Sequence, residues 1–254
     1  MVLPTSSSLD PPSKNNLDAY IKTSRPLLDV QPLVTSQEVR DRGSTFIANL
    51  FPAISPCDVR ARIAYLKDVL HKKRPATHDI AAWRCMVLKP GHNGLGGPDD
   101  FELNVGYMDD GEKWAGIRVQ KVMESYAIID AVVIVSRWYG GTMLGPTRFS
   151  HIETCAAEVC QEHKRSEELR ECISELTNLD AVLAGLRAEY SGTSPTDTST
   201  TGRTTPKDYV NLDLVKGRRL IKARENAIKS VKLLLAKRRE VATDAPIAEP
   251  DDQT

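Results

Sequence analysis

Arg137, Arg148 and His151 stand at the two ends of a glycine-rich turn in DAVVIVSRWYGGTMLGPTRFSHI (Asp130–Ile152). An apolar run meets Arg137, Trp138 and Tyr139 before the turn. Gly140 and Gly141 let the chain pass through positive φ. Gly145 and Pro146 then open a helix whose first N–H groups have no partner inside it. Guanidinium groups beside free amides can hold an anion such as phosphate or carboxylate. A strand-to-helix corner needs glycine and proline without any ligand, so a purely structural role stays open. The GxxxxGK[ST] spacing of a P-loop is missing.

A second dense cluster is YMDDGEKWAG (Tyr107–Gly116), where Asp109, Asp110 and Glu112 surround Gly111. Three carboxylates could ligate a hard cation such as Mg²⁺. They equally fit a turn in which Gly111 supplies the bend and the acids favour the start of the next helix. No EF-hand spacing supports a metal, and none is expected. His78 beside Asp79 would need a nucleophile brought near it in space. No catalytic residue is assigned, and no cofactor is expected. If the acidic and basic clusters shared one pocket, a small enzyme acting on a phosphorylated metabolite would remain a reading.

These clusters need elements to position them. Ser44–Phe51 is a strand candidate. After it Ser55 can cap a helix with Pro56 at its first position and Asp58 three residues on, and Val59, Ile63, Leu66 and Leu70 stripe one face. Ala81–Leu88 and FELNVGYM read as strands on either side of a Gly/Pro loop. AGIRVQKVMESYA has helical spacing, DAVVIVSRW reads as a strand covered on both faces, and Phe149, Ile152, Ala156 and Val159 stripe a last helix. The expected fold class is α/β (α+β), a two-layer sandwich of helices on a sheet, with a helical extension.

The chain of 254 residues is 41% hydrophobic, enough for a core. Lys+Arg and Asp+Glu are equal at 34, so overall charge points neither toward nor away from nucleic acid. Five cysteines without a CxxC pair read as reduced thiols. No segment has the ~20 apolar residues of a membrane span, and a cytoplasmic protein without membrane partners is expected. Residues 1–25 read as a disordered tail, 26–162 as the folded domain, and 163–240 as the helical extension, interrupted by a disordered loop at 191–206. Residues 241–254 read as a disordered acidic tail.

Within the extension, Ser166–Tyr190 is net acidic and amphipathic. Lys207–Glu240 is basic, with eleven Lys/Arg against four Asp/Glu. The two helices are expected to pair as an antiparallel, coiled-coil-like hairpin with opposite charges along the seam. Lys216, Arg218, Arg219, Lys222 and Arg224 form a basic stripe that could meet RNA, a ribosome or an acidic protein face. Without aromatics between Val210 and Glu240, single-strand stacking is not supported.

STFIA, RPATHDIAAWR, DDGEKWAG and VVIVSRWYGGTMLGPTRFSHI occur in this order. Together they resemble the IMPACT family, which shares its domain with the bacterial YigZ-type proteins; the SRWYGG…LGP version is similar to the eukaryotic branch. The match covers about residues 29–162. The resemblance implies the second-domain fold of ribosomal protein S5. It also implies a regulator of translation under amino-acid starvation, in the general amino acid control stress response, that competes for the co-activator of the general-control kinase and contacts actin. Only about 28 residues precede the match, too few for the RWD domain of the longer regulators, so a form without that domain is expected. The positions that match the family's motifs are Asp109, Asp110, Gly111, Glu112, Arg137, Trp138, Tyr139, Gly140, Gly141, Gly145, Pro146, Arg148 and His151. They are expected to line a shared binding surface with the arginines facing outward.

Overall fold

The structure is a computed structural model that describes residues 31–192, 209 and 211–243. The tail expected at 1–25, and most of the loop at 191–206 and of the tail at 241–254, lie outside the described residues. The chain divides into two compact units, Met1–Cys160 and Gln161–Thr254.

The first unit is built on a six-stranded, wholly antiparallel sheet: β1 (Val34–Thr35), β2 (Val39–Asp41), β3 (Ser44–Pro52), β4 (His78–Leu88), β5 (Phe101–Met108) and β6 (Ala131–Trp138). The order is β1-β3-β6-β4-β5, with β2 also paired to β3. Both β3 and β4 run antiparallel to β6, so they are parallel to each other with the last strand inserted between them. That insertion explains why all eight residues of β6 are buried and why Ala131–Val135 read as an unbroken apolar run.

Helix α1 (Pro56–Tyr65) crosses from β3 to β4 and ends in a π turn, Leu66–Leu70. Its start follows the expected capping: Ser55 Oγ accepts from the Asp58 N–H at 3.2 Å, and Asp58 Oδ2 accepts from the Ile54 N–H at 3.2 Å. Helix α2 (Ala115–Ser125) precedes β6, and α3 (Thr147–Ser191) follows it. Side chains alternate across each strand, so the sheet has two distinct faces. On one, Phe46, Ala48, Leu50, Ile80, Ala82, Val133 and Val135 pack under Val119 and Met123 of α2 and Ile152, Cys155, Ala156 and Val159 of α3. This is the expected layer of helices on a sheet. The other face is not bare: Phe51, Ala81, Cys85, Val132 and Ile134 meet Val59, Tyr65 and Leu66 around α1.

In the second unit, α3 lies beside α4 (Leu214–Thr243). Glu168 pairs with Arg218, Asp180 with Arg224 and Glu189 with Arg239. Partners advance in the same direction along both helices, so the helices run parallel, and the expectation of an antiparallel hairpin is corrected. The physical reason is the length of the connection. A connection from Gly192 to Asp213 can reach about 70 Å when extended, while the paired stretch of helix spans only about 30 Å. Opposite charge along the seam is present as expected. Gly217 marks the close approach: a Cβ there would lie 2.4 Å from Cys172 Sγ.

Candidate functional site

Glu112 is 5% exposed and lies between two arginines. Arg137 Nη1 donates to Oε2, and Arg148 Nε lies 2.7 Å from Oε1. Arg137 is itself 5% exposed; its guanidinium lies over the Phe46 ring at 5.5 Å and the Tyr139 ring at 5.6 Å. Arg148 stacks on Phe149 at 4.6 Å. The Nε atoms of both arginines are buried without an aligned hydrogen bond, so charge rather than hydrogen-bond geometry dominates the Arg148 contact. The expectation that both guanidiniums face outward is therefore corrected: one buried carboxylate draws them inward. The reason lies in burial, because a guanidinium placed on the covered face of β6 must find a counter-charge inside.

The acidic turn divides its labour. Asp109 accepts from the N–H groups of Trp114 at 3.1 Å and Gly116 at 2.8 Å, and so caps α2, which Trp114, held at φ +69, cannot do with its own side chain. Asp110 Oδ2 accepts from the Asp79 N–H at 2.8 Å and Lys67 Nζ at 3.3 Å. Its carbonyl meets His78 Nδ1 at 2.8 Å. Gly111 turns at φ +88 against the His78 ring. The three carboxylates that could have held a cation are engaged by the chain itself. Among the described residues no group of three metal-ligating side chains converges.

Asp79 lies behind this turn, buried, and accepts from Ser136 Oγ at 2.6 Å. Lys67 Nζ is 3.9 Å away and His71 Nδ1 3.8 Å. Burial pushes the Asp79 carboxyl up, but His71, the Ser136 hydroxyl and the Lys67 charge outweigh it, and the group lies below its ordinary 3.8. At 3.8 Å the His71 contact is longer than a formed hydrogen bond.

The glycine turn is fixed by backbone proximity. A Cβ on Gly140 would fall 1.9 Å from the carbonyl carbon of Gly43, and the Gly140 N–H donates to Ser44 Oγ at 3.2 Å. Gly141 and Gly145 take φ +84 and +57. Leu144 is buried and Pro146 exposed, while Tyr139 and Met143 project into solvent, Met143 at 74% exposure. His151 Nε2 meets Asp41 Oδ2 at 2.9 Å. Trp138 leaves the surface assigned to it: strand alternation sends it to the opposite face from Arg137, where its Nε1–H donates to the Arg74 carbonyl at 3.0 Å and its ring packs on His71.

The structure thus brings Glu112, Arg137 and Arg148 together, sets Asp109, Asp110 and Gly111 beside them in one turn, and turns Trp138 away. Sequence reasoning missed Asp41, Gly43 and Lys67. Gly43 had a signal: Arg42 and Gly43, at φ +44 and +81, form the two-residue turn that joins β2 to β3. It missed Trp114 too, 69% exposed two residues beyond Glu112. Trp114 borders an open groove of about 560 Å³ lined also by Ile117, Arg118, Lys121 and Glu153. On α4, Lys216, Arg219 and Lys222 are exposed, while Arg218 and Arg224 reach Glu168 and Asp180.

Residues 42–160 match the Impact N-terminal domain. Protein IMPACT-A of Xenopus tropicalis is 37% identical over 152 residues, 59% of this chain and 44% of that protein. Protein IMPACT of Homo sapiens is 35% identical over 150 residues, 58% of this chain and 43% of that one. The chain thus spans less than half the length of these relatives. Among solved structures, the two-domain translational regulator Yih1 is 25% identical, with 62% of this chain and 54% of that one covered at a TM-score of 0.34. A hypothetical protein is 23% identical, with 52% and 57% covered at 0.35.

Proposed function

Because the chain belongs to the IMPACT family through residues 42–160, we propose that it is a non-enzymatic regulator of translation that acts by occupying a protein partner. The observation that carries this reading is the Glu112 clamp. The most strongly charged groups of the family's motifs neutralise one another in the interior, with Arg137 and Glu112 each 5% exposed. Groups so engaged serve to hold a surface rather than to make or break bonds. The clamp anchors two segments at once, and each carries an exposed aromatic side chain two residues further on: Trp114 beyond Glu112, Tyr139 beyond Arg137. Exposed aromatic and methionine side chains on a rigid frame are the kind of anchors that dominate protein interfaces. In this reading the partner is the co-activator of the kinase in the general-control response to amino-acid starvation or, outside that response, actin.

The test is phosphorylation of the alpha subunit of translation initiation factor 2 in starved cells. Overproducing the chain lowers it, and a Tyr139→Ala/Met143→Ser variant restores it. Phosphorylation unchanged by the wild-type chain defeats the reading. A second reading, direct binding of RNA or the ribosome, is favoured by the exposed Lys216, Arg219 and Lys222. It requires an affinity that falls steeply with salt and a salt slope reduced by Lys216→Glu/Lys222→Glu; an affinity indifferent to salt removes it.

A further inference from the structure

The two edges of the sheet are unlike. One is closed by β1 and β2, two and three residues long, with charged Arg40 and Asp41 on the second. Short, charged strands are a standard protection against edge-to-edge pairing. The other edge is β5, eight residues long, and among the described residues it pairs on one side only, with β4. It contains no proline and no lysine, and its register with β4 runs from Ala81↔Met108 to Leu88↔Phe101 without a bulge. Of the usual protections, the strand itself carries only a single charge, Glu102.

The free backbone groups can be identified. The Lys89 N–H donates to the Asp100 carbonyl at 2.8 Å, one register step beyond Leu88↔Phe101. Bonded and non-bonded positions alternate in an antiparallel ladder. Even-numbered residues of β5 therefore face β4, and Leu103, Val105 and Tyr107 turn their N–H and C=O groups to the open edge. The Phe101 carbonyl joins them, while its N–H is held by Pro98. The side chains of these four residues share one face with Met86 and Leu88 of β4. All six are partly exposed, Leu103 at 37% and Tyr107 at 45% bounding the four on β5. This is a contiguous apolar strip beside an unpaired edge.

We propose that the strip is covered by a second copy of this chain, with β5 pairing antiparallel to β5 about a two-fold axis at Asn104. The occupant follows from the strand's own pattern, which is complementary to itself. About that axis Leu103 of one copy lies opposite Val105 of the other and exchanges both backbone bonds with it. The Tyr107 N–H reaches the Phe101 carbonyl of the second copy, and the two aromatic rings meet on the apolar face. Glu102, the one charged residue of the strand, faces Gly106 rather than another carboxylate. A foreign strand would not require this symmetry. A strand pair is smaller than a standard interface, so the association depends on concentration.

Sedimentation velocity of the full chain tests the proposal. The mass rises from 28.1 kDa toward twice that value as concentration passes through the range on the order of 10 to 500 µM. Leu103→Lys, which puts a charge on an exposed edge position that a folded sheet tolerates, raises the dissociation constant at least about tenfold while far-UV circular dichroism is unchanged. A covalent readout fixes the register. Facing residues at a non-bonded pair have Cα atoms about 4.5 Å apart, within reach of a disulfide. In a Cys57→Ser/Cys85→Ala background, which removes the exposed native thiol and the one directly opposite Asn104 on β4, Asn104→Cys forms an interchain disulfide under oxidation and Glu102→Cys does not. A chain that stays at 28.1 kDa at every concentration overturns the proposal. So does a dimer indifferent to Leu103→Lys, or crosslinking at 102 as ready as at 104.

Discussion

Glu112→Gln removes one negative charge and almost no volume from the point where Arg137 and Arg148 meet. Arg137 cannot turn to water without opening the sheet face, since its side chain is 6% exposed and lies over Phe46. Arg148, at 25%, can partly do so. The substitution thus strands about one buried guanidinium, and breaking a buried pair from one side costs about 3–5 kcal/mol. Against a domain stability of about 5–15 kcal/mol, that is a large share. The assay is urea unfolding followed by tryptophan fluorescence. With a slope of about 1–3 kcal/mol/M, the midpoint falls by more than about 1 M. A second variant separates a stranded charge from general damage. Arg137→Met in the Glu112→Gln background removes the orphaned charge, so the double variant is more stable than Glu112→Gln alone, with a coupling of about 1–3 kcal/mol. A loss below about 0.5 kcal/mol, additive with Arg137→Met, refutes the clamp and returns the arginines to service as an external anion site.

Asp79 lies below its ordinary 3.8 in the folded chain, so its stabilising contribution is complete above that value and is lost as pH falls through the folded one. Asp79→Asn is therefore less stable at neutral pH, and its acid-unfolding limb below about pH 4 is shallower than the wild type's; parallel limbs contradict this. Gly140→Ala drives its Cβ into the Gly43 backbone and costs more than about 2 kcal/mol. Gly141→Ala meets no atom within 4 Å but keeps φ +84 and costs about 1–2 kcal/mol, so thermal melts that rank the two the other way defeat the close-approach account. Burial pushes the thiols of Cys85 and Cys155 up to about 11 and that of Cys160 to about 12, whereas Cys57 is exposed. Ellman titration of the native chain shows Cys57 reacting at once and the buried thiols only on unfolding; a second fast thiol breaks the burial pattern.

Much of the sheet unit was legible because local chemistry and tertiary packing agree there. Phe101–Met108 begins and ends where its pattern does, and Ser55 caps as its side chain allows. The burial of β6 could be read from Val132–Val135. Three features were not legible. Trp138 was grouped with Arg137 by adjacency, although strand alternation separates neighbours. The inward aim of Arg137 and Arg148 depends on Glu112 arriving from a turn 25 residues earlier, a distance that no local pattern encodes. The direction of α4 along α3 was misjudged because an amphipathic stripe shows which face pairs and is silent about parallel or antiparallel sense. The long connection removes the constraint that short loops impose.

The clamp also bears on how the corner after β6 can bind anything at all. A turn containing Gly140, Gly141 and Gly145 would be floppy in isolation, because glycine has the most conformational freedom to lose. Here the turn is pinned at both ends. Gly140 is pressed on Gly43 and bonded to Ser44, and Arg148, in the first turn of α3, is tied to Glu112. Between these anchors Leu144 is buried, so Tyr139 and Met143 project from a segment whose ordering entropy is spent on folding rather than on binding. If the segment binds a partner, loosening one anchor should weaken binding even where no contact residue changes. Arg148→Lys keeps the charge but cannot reproduce the planar guanidinium stacked on Phe149. It should therefore cost partner affinity while leaving Tyr139 and Met143 in place, and an affinity equal to wild type would mean that the turn is not preorganised by the clamp.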